Sequence, residues 1–384
     1  MKTKIFYLVT AAILVTLIVY FNVTKPTVPG ATTGNTENGS GTPPVLDTAN
    51  YYNSFSQFIA GKDPGRYFTA YVQDTVWKNY AARVNREWNT VLNEKVHPIQ
   101  RWADSVGYLS NQKSKTLFYP FAGADFLYAN AFFPDVHTII MIGLEPAGSV
   151  ESIDTTNRRE VTAYLDKLHK SIHYSNRLGY FMTKRMAEEF NAIDLNGTIH
   201  AVLFYMALSG CTISEITYFD VNDDGSVRSE KPGKAPAYKI TYSINGSPLR
   251  TLYYFSVDLS NEGLAKKTGF LRFVDTFQDK VSLLKSASYL LHKPPFTVMK
   301  DYMLKNVSLV LQDDSGIPYR FFEKNVWDVK LFGKYTRIID LFYGYFQPDL
   351  KKEFDRLNLK GTFEFKIGYN LRHGESNLIL STKR

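Results

Sequence analysis

Apolar positions follow three patterns along this chain. Residues 5–21 form a nearly unbroken apolar run, interrupted only by Thr10 and Thr16, behind the basic start Met1-Lys2-Thr3-Lys4. No other segment of the sequence is long and apolar enough to cross a bilayer. Residues 65–106 instead place apolar residues at helical spacing, through Val84, Trp88, Val91 and Leu92. That pattern is expected to stop at His97-Pro98, because proline lacks the N–H that a helix interior needs. Residues 157–209 read as at least three helical pieces, with Asn196-Gly197 breaking the last two, and residues 262–304 as mostly helix. One more helix is expected at 350–357.

The third pattern is the short apolar run of a strand, at 116–119, 138–142, 216–219, 238–243, 249–255 and 308–311. Asn245-Gly246 between two such runs is a strong hairpin signal. The stretch 116–142 reads as strand, loop, short helix and strand, with Pro134-Asp135 stopping the helix. Its second strand is apolar on both faces, as in a buried parallel sheet. There is no internal repeat. The expected fold is α/β: a mixed sheet with a parallel core, an antiparallel hairpin insertion and flanking helices.

The ends of the apolar run decide organisation. Residues 1–25 read as an N-terminal membrane anchor or a signal segment. The run is long for a signal core and exits through Asn22, Val23, Thr24, Lys25 and Pro26, without a small-x-small cleavage site. No cysteine follows it to carry a lipid. Either form puts the remainder outside the cytoplasm, since Lys2 and Lys4 hold the N-terminus inside. Residues 26–47 are a flexible Pro/Gly/Thr-rich tether that buries too little apolar surface to order itself. Residues 48–384 then form a single extracytoplasmic globular domain, periplasmic or at the cell surface.

Composition narrows the chemistry. The chain has 26 Tyr and 27 Phe, so its core is strongly aromatic. Its single cysteine, Cys211, forbids an internal disulfide and reads as a small buried hydrophobe. Most of the +8 net charge lies in residues 280–384, which carry 18 basic and 11 acidic side chains. Outside the cytoplasm such a face meets anionic envelope components. No nucleic-acid motif is present.

Phe118-Tyr119-Pro120-Phe121-Ala122-Gly123-Ala124-Asp125-Phe126-Leu127-Tyr128-Ala129 and Leu311-Gln312-Asp313-Asp314-Ser315-Gly316-Ile317-Pro318-Tyr319 resemble segments of a bacterial family of exported proteins. Ser376-Asn377-Leu378 and Ser286-Ala287-Ser288-Tyr289-Leu290 fit the same pattern. The resemblance spans most of residues 110–380. The family has no assigned activity, so the resemblance implies a location and a fold and carries over no catalytic residue.

Polar groups follow several predicted strands: Asp125 the first, Glu145 the second, Asp258 and Asn261 the hairpin strand, Asp313 and Asp314 the late one. Ligands of open α/β sheets bind outside the carboxyl ends of parallel strands. Paired there, Glu145, Asp313, Asp314 and Asp125 could act as acid and base in glycoside hydrolysis. The plainer alternative is that each caps a helix or turn. The hairpin strand is expected to be antiparallel, which discounts Asp258. Gly123 in the first loop and Glu145 after the second strand loosely resemble a methyltransferase or dinucleotide fold, on one glycine where the dinucleotide fingerprint has three.

Asp220, Asn222 and Asp224, with Gly225, copy the first half of a calcium loop, although Lys231 stands where a bidentate acid is expected. They define a weak calcium site, or the polar tip of a β-connection. Asp166, His169 and His173 share a helix face, without the glutamate of a zinc-protease motif. No nucleophile-elbow serine and no phosphate-cradling Gly-Lys-Ser/Thr loop occurs. The leading expectation is a membrane-tethered extracytoplasmic protein that binds an envelope component. The alternative is an envelope glycan hydrolase using the strand-end carboxylates.

Overall fold

A computed structural model describes residues 48–108, 115–150, 157–178, 197–338, 340–368 and 376–384. The apolar run 5–21 and the tether lie outside the described residues. So does the helical piece expected within 179–196. No helix among the described residues is long and apolar enough to cross a membrane.

Among the described residues ten strands form one mixed sheet in the order β4-β3-β5-β6-β2-β1-β7-β8-β10-β9. They are β1 (Thr116–Tyr119), β2 (Thr138–Gly143), β3 (Cys211–Val221), β4 (Val227–Ser229), β5 (Ala237–Ile244), β6 (Arg250–Ser256), β7 (Lys280–Leu284), β8 (Val307–Gln312), β9 (Trp327–Gly333) and β10 (Asn377–Lys383). The five strands β6, β2, β1, β7 and β8 are parallel neighbours. β3, β4 and β5 extend the sheet antiparallel on one side. β10 runs antiparallel between β8 and β9 on the other.

The parallel core is buried on both faces, and residue alternation along each strand shows it. Leu117, Ile139, Met141, Val281, Leu283, Leu309 and Leu311 enter one core cluster. Phe118, Ile140, Ile142, Leu284 and Val310 enter the other. Period-two alternation sends successive side chains to opposite layers, so both sets must be apolar.

Among the described residues eleven helices flank the sheet. On the first lie α1 (Thr48–Ile59), the one-turn α2 (Thr69–Val72), α3 (Thr75–Val91), α4 (His97–Val106), α5 (Phe126–Phe132), α6 (Arg158–Leu178) and α7 (Ile199–Leu208). The second face carries α8 (Asn261–Lys266), α9 (Thr268–Asp275) and α10 (Thr297–Asn306). The last helix, α11 (Pro348–Arg356), packs Leu350 and Phe354 against Leu331 and Ile379 at the β9 edge. All ten residues of α7 are buried, which suits a helix that is apolar all round.

Three expectations change. The helix does not end at His97-Pro98. A π turn at Leu92–Val96 leads into α4, and Pro98 sits in its first turn, where the missing N–H costs nothing. β6 pairs antiparallel with β5 but parallel with β2, so it belongs to the parallel core. Residues 280–284, expected within a helical region, form β7, the central neighbour of β1. The Asn245-Gly246 turn does join β5 to β6, with φ of 47° and 74°, as a tight hairpin requires.

Candidate functional site

The chain runs from β1 outward through β2 to β6, then returns to β7 beside β1 and continues to β8. Connections therefore diverge at the boundary between β1 and β7. In open parallel sheets this divergence leaves a crevice at the carboxyl edge, where ligands bind. Asp125, Glu145, Asp258 and the pair Asp313-Asp314 follow strands of this parallel core. β6 runs parallel to β2, contrary to the antiparallel expectation, so Asp258 lies on this edge too.

Side chains from the segments just after β1 and β7 meet at this boundary. Lys285, the first residue after β7, places Nζ 2.8 Å from Asp125 Oδ2, with both side chains buried. Tyr119 donates its hydroxyl to the same oxygen at 2.8 Å, and the Tyr128 N–H donates to Oδ1 at 3.3 Å, so Asp125 also caps α5. The Lys285 ammonium lies 4.1 Å from the centroid of the Tyr128 ring. Burial and the Asp125 charge push the Tyr119 hydroxyl well above its ordinary value, so it stays a donor. Lys95, on the π turn, approaches the same ring at 5.9 Å. Burial and the Lys285 charge pull its ammonium down to about 8.

Backbone strain gathers here as well. Phe121 after β1 has φ 61° and Ser286 after β7 has φ 59°. Neither is of the Gly, Asn or Asp type that tolerates this region readily, and such outliers cluster at functional sites. Ser286 is buried, and its Oγ has no hydrogen-bond partner among the described residues.

Asp313 braces the turn after β8. Its Oδ1 accepts from the Ser315 N–H at 2.9 Å and from the Ser315 hydroxyl, and its Oδ2 receives the Ser286 N–H at 3.4 Å. Asp314 accepts from the Tyr289 hydroxyl at 2.6 Å and from Asn377 Nδ2 at 3.0 Å. Its carbonyl accepts from Gln347 Nε2 at 2.8 Å. Glu145 folds its carboxylate back over Gly143 and Gly123. A Cβ on Gly143 would meet Glu145 Oε2, and would lie 2.7 Å from the Tyr254 hydroxyl and 2.9 Å from Gly123 Cα. The glycine is what allows this approach. Tyr254 in turn donates to the Glu145 carbonyl at 2.9 Å.

No family model matches the chain, and neither does any curated protein.

Farther out on the same edge, the segments after β7, β8 and β9 enclose a cavity of about 120 Å³. His292, Pro318, Arg320, Tyr345, Gln347 and Asp349 are among its lining residues. Gln347 links it directly to Asp314. Sequence reasoning missed this place and Lys285, because no motif marks either.

The calcium half-loop is engaged with protein groups. Asp220 pairs with Arg228 at 3.0 Å and with Lys267 at 3.3 Å. Asp224 Oδ1 accepts from the Ser226 N–H and hydroxyl, and Asn222 Nδ2 donates to Ser226 Oγ. The oxygens turn onto the β3–β4 hairpin tip instead of converging, and no cluster of three or more acidic, His or Cys residues among the described residues could hold a metal. His169 and His173 reach Glu87 on α3, at 3.0 and 3.6 Å, and Asp166 reaches Arg83 at 3.1 Å. Those three tie two helices together. Cys211 is 1% exposed, and burial pushes its thiol up to about 12, which leaves it unreactive at neutral pH.

Proposed function

We propose that this is a membrane-tethered extracytoplasmic protein that binds a cell-envelope component at the carboxyl edge of its sheet. One observation carries the choice of binding over hydrolysis. Asp125, Asp313 and Asp314 are buried and bonded to the loops around them. A hydrolase needs two carboxyl groups about 5–10 Å apart flanking a bond that water can reach. Glu145 follows β2 and Asp313 follows β8, and those strands are separated by β1 and β7, three strand spacings or roughly 14 Å. The apolar run 5–21 supports the tether, and the basic surplus of residues 280–384 supports an anionic partner.

The full-length chain should fractionate with membranes and co-sediment with isolated envelope polysaccharide, without releasing new reducing ends. Release of reducing ends that stops in Asp313→Asn would replace binding by hydrolysis. Absence of co-sedimentation would remove the reading altogether.

The strand order favours a second reading, a nucleoside cofactor in the β1–β7 crevice, with Gly123 and Glu145 against it as in the methyltransferase-like unit noted in the sequence. Against it, the Lys285–Asp125 pair occupies that crevice. Thermal unfolding with millimolar adenosine separates the two: no shift is expected from the envelope-binding protein.

A further inference from the structure

We infer that the cavity beyond β7, β8 and β9 is a binding site for an acidic sugar, a hydroxylated ring carrying one anionic group. This rests on the envelope-binding reading and names the chemistry it would recognise. At about 120 Å³ the cavity falls short of the ~150 Å³ that holds one bare aromatic ring, so it seats one edge of a sugar and leaves the rest toward solvent.

Its lining supplies two complementary features, a cation and an aromatic wall. Arg320 is exposed and forms no ion pair among the described residues, although its guanidinium lies 5.1 Å from the Phe321 ring. A planar guanidinium is the side chain best suited to grip a carboxylate or phosphate with two hydrogen bonds. His292 Nε2 is buried at the atom level and has no partner among the described residues. Burial holds this imidazole neutral, down to about 4, against the pull of the Gly316 backbone and Asp314. With no accessible surface, that nitrogen lies behind the cavity wall, so His292 backs the wall and does not itself meet a ligand. Tyr345 supplies an aromatic wall that is already fixed. It packs edge-on to His292 at 5.5 Å, parallel to Tyr289 at 5.8 Å, and under Lys293 at 5.8 Å. Apolar or aromatic walls with a few convergent polar groups are the usual make-up of a small-ligand site.

The lining also includes one carboxylate, Asp349. It opposes a free anion but can accept a sugar hydroxyl, so it favours an acid that also bears hydroxyls over a bare one. Gln347 joins the cavity to the strand-end network. Its side chain donates to the Asp314 carbonyl at 2.8 Å and accepts from the Tyr319 N–H at 2.7 Å. The cavity wall is therefore held by the same bonds that brace the end of β8.

The test is titration of the full-length chain with glucuronate, glucose 1-phosphate, glucose and acetate, followed by calorimetry or saturation-transfer NMR. Glucuronate or glucose 1-phosphate should bind at least tenfold tighter than glucose or acetate, and the two anions separate a carboxylate from a phosphate source. Arg320→Gln should weaken the preferred anion roughly tenfold or more, while leaving the weak glucose signal unchanged. Tyr345→Ala should weaken all three sugars. No binding at 10 mM, or variants that bind like the parent, would overturn the site. Co-sedimentation with polysaccharide is the separate readout. If it persists in an Arg320→Gln chain that has lost the sugar, the site fails as the recognition route and the envelope reading stands. If free sugar binds but no polysaccharide co-sediments, the site stands and the envelope reading fails.

Discussion

Lys285 Nζ stands 2.8 Å from Asp125 Oδ2, with side-chain exposures of 3% and 5%, across the boundary where the sheet's connections diverge. Two charges taken this far from water hold each other in place, and the geometry matters more than the net gain. Removing one partner strands the other. Lys285→Met should therefore destabilise the protein by about 3–5 kcal/mol in urea unfolding. The double variant Lys285→Met/Asp125→Asn should recover a good part of that loss, because neither member of the pair is left charged without the other. Equal loss in single and double variants would mean that Lys285 matters for its packing on Tyr128 and not for the pair.

Ser286 offers a test of whether strain is kept for function. Its φ of 59° costs a non-glycine residue about 1–2 kcal/mol. Glycine relieves that cost, less the extra chain entropy it brings. Ser286→Gly is expected to raise stability by about 0.5–1 kcal/mol. A gain in stability together with weaker polysaccharide binding would place the buried Oγ at the ligand, in the usual trade between stability and activity. A loss of stability would show that the added chain entropy and the lost Cβ packing outweigh the strain, since glycine keeps the N–H that bonds Asp313.

Much of this edge was legible in the sequence, and the reasons differ by element. β1 and β2 were legible because apolar residues fill both faces, and the Asn245-Gly246 hairpin because its turn demands positive φ. Asp125, Glu145, Asp313 and Asp314 were legible as acids directly after such strands. β7 was not. Its five residues, Lys280-Val281-Ser282-Leu283-Leu284, are bounded by lysines at 280 and 285 and mix a serine into the run, so neither period stands out. Losing β7 hid Lys285 and Ser286, which complete the crevice. β6 carried a correct hairpin signal with a wrong implication. A turn reports only the neighbour it joins, and the parallel pairing of β6 with β2 spans more than 100 residues. The outer cavity draws on residues from 292 to 349, too scattered for any local pattern.

Calcium should leave the protein unchanged. Asp220, the first oxygen donor of the half-loop, is held by Arg228 and Lys267, and Asp224 is held by Ser226. A cation would have to displace both ammonium and guanidinium partners, with no bidentate acid at Lys231 to help it. Millimolar calcium, or a chelator, should move the melting temperature by less than about 1 °C, since stabilisation requires preferential binding to the folded state. A shift of several degrees that vanishes in Asp224→Asn would restore the calcium site.

The last expectation concerns pH and His200. Its ring is 3% exposed, hydrogen-bonded through Nδ1 to the Tyr164 hydroxyl at 2.9 Å, and set 5.9 Å from Phe55. Burial pushes the imidazole down to about 4, outweighing the Ser149 backbone, which favours the charged form. In the unfolded chain the same group titrates near its ordinary value of about 6.5. Between these two values the unfolded state binds a proton that the folded state refuses, so stability rises with pH across the window and falls as the solution is acidified. From pH 7 to pH 5 the loss from His200 should be about 2 kcal/mol, at 1.36 kcal/mol per unit. His292, also near 4, adds to the slope. Urea unfolding at a series of pH values should show this decline above the range where carboxylates titrate. His200→Phe should lower stability at pH 7 through the lost Tyr164 bond, yet flatten the slope between pH 7 and pH 5. A variant slope as steep as the parent's would mean that His200 is charged in the folded protein or that other groups own the titration.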